Sequence, residues 1–100
     1  MIKVNHMSQR IHDVMVKRFD IGKDASMKAW VMTLSVLWRE ADKSIKEKEC
    51  SRFFYSKLEL VLADIILMCI AMLRRTGVNN IENLIRRRLD ESDKNNKLKR

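Results

Sequence analysis

The chain has no proline, and only two of its 100 residues are glycine, Gly22 and Gly77. All-β domains consume turn residues in quantity, so this scarcity excludes them and points to an all-α fold in which the two glycines punctuate helices. Cysteine is nearly absent too. Cys50 and Cys69 stand far apart, without a Cys-x-x-Cys pair, which argues against a disulfide framework and for a reducing, cytoplasmic setting. The first ten residues, MIKVNHMSQR, lack the apolar core of a secretory signal. No apolar run reaches the roughly 20 residues of a membrane span, so no membrane partner is expected. There is no Gly-rich phosphate loop. The two histidines, His6 and His12, have no cysteine or acid at metal spacing, and no serine has a histidine placed to activate it.

What is present is apolar and basic. Hydrophobic residues make up 46% of the chain, enough for one domain with a modest core. The formal net charge is +8, with seven basic and three acidic residues between Arg86 and Arg100. That balance allows a polyanionic partner (nucleotide, nucleic acid or an acidic protein surface), although a charge run is more often a solvated face.

The apolar spacing predicts four helices. The first runs from a Ser8 cap to about Phe19 with Ile11, Met15 and Phe19 inward, and Gly22 supplies the left-handed turn after it. The second starts near Asp24 or Ser26 and ends about Glu49. Its stripe is Met27, Trp30, Val31, Leu34, Leu37, Trp38, Ala41 and Ile45, which assigns both tryptophans to the core. A break at CSRFFYS leads to a third helix, from about Ser56 to Arg75, that is apolar on nearly every face, with Cys69 as a buried thiol. Gly77 ends it. Asn79 and Glu82 resemble a capping box for the fourth helix, NNIENLIRRRLDES, which carries Ile81, Leu84, Ile85 and Leu89 inward. Residues 1–92 form the domain, and 93–100 form a basic tail. Three partner helices cannot cover the third completely, so a homodimer built on Leu58–Leu73 is expected.

Within Leu58–Leu73 the only acids are Glu59, near its start, and Asp64, in its middle. A buried carboxylate costs several kcal/mol unless paired. The order of short helix, long helix, apolar helix with an internal Asp, Gly-Val, short helix and basic tail resembles the MazG-like all-α nucleoside triphosphate pyrophosphohydrolases. The resemblance spans roughly Ala25 to Lys94, clearest in LADIILMCIAMLRRTGVNNIENLIRRRL, with TLSVLWREADKSI similar to the family's second helix. It implies a MazG-like four-helix bundle of two long antiparallel helices and two short ones. It also implies cleavage of an NTP or dNTP to the monophosphate and pyrophosphate. Mg²⁺ would be held by Glu-x-x-Glu on one helix and Glu-x-x-Asp on the next, since residues three apart share a helix face.

Half of that motif is here. Glu40 and Asp64 occupy its first and last positions, but Lys43 and Val61 stand at the other two. Glu59 lies two residues from Val61, about 200° around the helix, and cannot replace it; Asp42 is likewise on the wrong side. Glu40 and Asp64 could hold a weak Mg²⁺ completed by water and phosphate. Alternatively the Lys43 ammonium, one turn from Glu40, replaces the metal and neutralises both acids, and this is the reading favoured by charge. Arg88 falls where the family carries a phosphate-contacting Lys, with Lys94 as a further phosphate ligand and Ser92 at an Asn position. The competing function is a non-enzymatic helical dimer that binds a protein or nucleic acid through its basic last helix and tail.

Overall fold

The structure, a computed structural model, describes residues 3–22, 24–46 and 55–98. It is all-helical: α1 is Val4–Arg18, α2 is Met27–Lys46, α3 is Lys57–Arg75 and α4 is Ile81–Leu98. The helices have 15, 20, 19 and 18 residues, so the expected pair of short helices is not short. No helix among the described residues is long and apolar enough to cross a membrane. Cys50, Phe53, Phe54 and the expected end of α2 at Glu49 lie outside the described residues.

Helix α3 is the axis of the fold. It packs against α1 and α2 on its flanks and against the start of α4. Both flanking helices run antiparallel to it. Arg18 at the end of α1 reaches Asp64, while Gln9 meets Arg74 and Asn5 meets Asn80. At the start of α2, Ala25 meets Arg75. The core is the line where these helices converge: Ile11, Met15, Trp30, Leu37, Met68, Ala71 and Ile81 are buried, joined by Ile21 from the α1–α2 loop.

Several local readings shift. Helix α1 begins four residues before Ser8, whose hydroxyl is buried and donates to the Asn5 carbonyl instead of capping. Of the two tryptophans only Trp30 is core, at 0% exposure; Trp38 is 66% exposed. Val31, Trp38 and Ile45 recur every seven residues and form a second apolar stripe beside the buried one, facing out. Cys69, expected to be buried, also faces outward, though partial burial still pushes its thiol pKa up. The cap of α4 is Asn80, not Asn79: its Oδ1 accepts from the Asn83 N–H at 3.1 Å. Glu82 is free of that role, and Asn5 of α1 accepts from its N–H at 3.0 Å. The reciprocal capping box sits on α3, where Ser56 and Glu59 exchange hydrogen bonds. Those bonds, backbone first, hold the Glu59 carboxyl below its ordinary pKa.

Helices α1 and α3 end alike. In α1 the Ile21 N–H returns to the Val16 carbonyl at 3.0 Å, and in α3 the Val78 N–H returns to Leu73 at 3.1 Å. Each such ending needs one left-handed residue. In α3 it is Gly77 at φ 98°; in α1 it is Asp20 at φ 51°, two residues before the expected Gly22. Nothing lies within 4 Å of a Cβ built on Gly77, so a side chain there meets only backbone strain. Opposite outcomes follow in urea denaturation. Gly77→Ala should lower stability by about 1 kcal/mol, and Asp20→Gly should raise it by up to about 1 kcal/mol.

Candidate functional site

The stretch from Leu62 to Leu89 contains Asp64 but not its partner. Asp64 stands on the flank of α3 that faces α1, where Arg18 of α1 meets it end-on. The guanidinium donates from both terminal nitrogens, Nη1 to Oδ1 at 2.8 Å and Nη2 to Oδ2 at 2.9 Å. The Asp64 side chain keeps 21% of its exposure and that of Arg18 keeps 47%, so the carboxylate is the more enclosed member. The fork matches a carboxylate in shape and charge. Asp64 raises the Arg18 pKa further, chiefly through the hydrogen bonds. Arg18 also lies over the Phe19 ring, 5.0 Å from its centroid.

The cation meeting Asp64 is therefore an arginine from α1, not Lys43. Lys43 is exposed on α2, and its neighbour Ser44 is buried instead, donating to the Glu40 carbonyl at 2.7 Å. Glu40 is half-buried. Val61, at the family's third acid position, belongs to the core. The site residues on α4 separate as well. Arg88 donates to Glu91 at 2.7 Å, and Arg87 approaches the same carboxylate at 3.4 Å. Lys94 lies farther along the exposed helix.

These residues fit Mg²⁺ poorly. The ion prefers an octahedron of hard oxygens, with free carboxylate oxygens among them and water or phosphate completing the shell. Among the described residues no three His, Cys, Asp or Glu side chains gather as a metal group. Any ion at Asp64 would have to displace a two-pronged guanidinium.

A second polar cluster, unforeseen as a site, surrounds Trp30. The His12 ring stacks on it with centroids 5.4 Å apart, and the Arg75 guanidinium lies over it at 5.5 Å. His12 Nδ1 is 3.1 Å from Asp13 Oδ1, so these neighbours do meet. That contact, followed by the hydrogen bond from Gln9, draws the Asp13 pKa down. No periodicity announces this cluster, because it joins side chains from three helices.

No family model matches the chain, and no curated protein or solved structure matches it either.

The Arg18–Asp64 contact has a measurable weight. Arg18→Ala should cost about 1–2 kcal/mol by leaving an enclosed carboxylate without its partner. In a double-mutant cycle with Asp64→Ala, urea unfolding should give a coupling of about 1 kcal/mol, moderated by the solvent exposure of Arg18.

Proposed function

We propose that the chain is a relative of the MazG-like nucleotide pyrophosphohydrolases in which metal-dependent catalysis is impaired, and that it works as a non-enzymatic homodimeric module. The observation that carries this reading is the two-pronged Arg18–Asp64 pair. In the enzyme reading Glu40 and Asp64 would share Mg²⁺ with the phosphates of an NTP or dNTP, and the metal would polarise the attacking water. Here Asp64 already has both oxygens engaged. The third acid position is filled by Val61 in the core, and the second by Lys43.

The dimer has separate support in the outward apolar faces. Val31, Trp38 and Ile45 on α2, with Leu62 and Ile66 on α3, are large and exposed.

Sedimentation should give a dimer at micromolar concentration, converted to a folded monomer by Trp38→Asp. The native chain with Mg²⁺ and a panel of NTPs and dNTPs should release no pyrophosphate above background. Turnover abolished by Asp64→Ala would overturn the reading in favour of the enzyme.

A second reading rests on α4, which among the described helices packs on α1 and α3 alone. Arg86, Arg87, Arg88 and Lys94 are exposed on it, a surface for nucleic acid or an acidic protein. Fluorescence titration with DNA and RNA should then show binding that weakens steeply between about 50 and 200 mM salt.

A further inference from the structure

Between the start of α2 and the end of α3 lies a hollow of about 320 Å³, lined by Met27, Leu34, Cys69, Met72, Leu73 and Thr76. It exposes no oxygen or nitrogen. The single hydroxyl in its lining, on Thr76, is spent on the Leu73 carbonyl at 2.8 Å. Farther along α2 stands Trp38, a large apolar side chain that is 66% exposed. We infer that the hollow receives Trp38 of a second copy, each copy giving its ring to the other across a two-fold axis. The inference rests on the homodimer proposed above and adds the contact that closes it.

What the hollow lacks selects its occupant. Small-molecule sites orient their ligands with a few converging polar groups, and this one offers none. A charged or strongly polar group would lose its water there without compensation. An aromatic side chain carried on a helix fits, because it is apolar over its faces and its backbone already sets its place. Met27 and Met72 adapt to the shape of such a ring and make favourable sulfur–aromatic contacts. The hollow is open at its rim, which leaves the indole N–H in contact with water.

The position of Trp38 makes the chain complementary to itself. Leu34 lines both this hollow and a neighbouring one that runs from Val31 to Trp38. Set two α2 helices antiparallel about the midpoint of Leu34 and Ser35. Trp38 of one is then level with Val31 of the other, beside the hollow, and the converse holds at the opposite end. An isologous contact requires this arrangement, one patch meeting itself. At the crossing sits Ser35, a small residue that lets the helices approach closely. Its hydroxyl is spent on the Val31 carbonyl at 3.0 Å, so burying it strips no donor of its partner. Arg39 borders the neighbouring hollow and is exposed, and its stem packs while its head keeps to water. Leu62, Ile66 and Cys69 of α3 add exposed apolar surface to the same patch.

The test is NMR on a mixed dimer. Copies that carry protons only on their methionine methyls are paired with unlabelled copies, so any cross-peak from a methionine methyl to an indole arises between chains. Cross-peaks from Met27 and Met72 to Trp38 are expected, with none from Met7 on α1 or from the buried Met68. Trp38→Ala should weaken dimerisation by about thirtyfold or more, the loss of an interfacial hot spot, and Trp38→Phe, which keeps a ring, should recover most of it. Trp38 is exposed in the single chain, so both variants keep the fold. A dimer in sedimentation without a Trp38 cross-peak would overturn the insertion and leave the homodimer standing. So would equal dimerisation of the native and Trp38→Ala chains. A chain that stays monomeric at every concentration would overturn both, and would leave the patch to a partner of another kind.

Discussion

A helix as apolar as Leu58–Leu73 has to be covered, and the described residues hold three other helices to cover it. Every other feature of the fold follows from that requirement. Helices α1 and α2 both run antiparallel to α3 and bury the face that carries Val61, Met68 and Ala71. Helix α4 contributes Ile81 and then departs. What is left bare is a strip holding Leu62, Ile66 and Cys69, beside the strip of α2 that holds Val31 and Trp38. Burying apolar surface yields about 25 cal/mol per Å², so two adjacent strips of this kind favour association with another apolar surface.

Charge then fixes how the covering helices sit. Three arginines tie other parts of the chain to α3. Arg18 holds α1 to Asp64, Arg74 joins Gln9 and Asn79, and Arg75 reaches the Ala25 carbonyl before α2. A net charge of +8 reads at first as a free basic surface. Part of it is engaged within the fold, and on α4 two of three consecutive arginines share Glu91.

The helices were legible because their cause is local. Apolar residues at spacings of three and four mark α2 and α3 whatever they pack on, and Gly77 marks the end of α3 through its own φ. Which side of α2 is buried was not legible, because Val31 and Trp38 extend its apolar arc beyond the width of one neighbouring helix. Only the placement of α3 decides that Trp30 goes in and Trp38 stays out. The left-handed residue at Asp20 was hidden for another reason: an aspartate tolerates that conformation without advertising it as glycine does. That Asp64 needs a cation was legible from desolvation alone. The choice of Arg18 was not, since a contact across 46 residues depends on the packing of α1.

That choice bears on the acid positions of the resemblance as well. Four carboxylates facing one another repel unless a divalent ion sits among them, so a four-acid motif is stable only with its metal. With Lys43 and Val61 in two of those positions the acids that remain are Glu40, half-buried on α2, and Asp64, which Arg18 neutralises. Arg18 lies on α1, outside the Ala25–Lys94 stretch that carries the resemblance, and it reaches Asp64 only because α1 lies antiparallel on α3. Placing acids at positions 43 and 61 would therefore not by itself build a magnesium site. The arginine would still hold Asp64, and a carboxylate at 61 would stand in the core beside Met68 and Ala71.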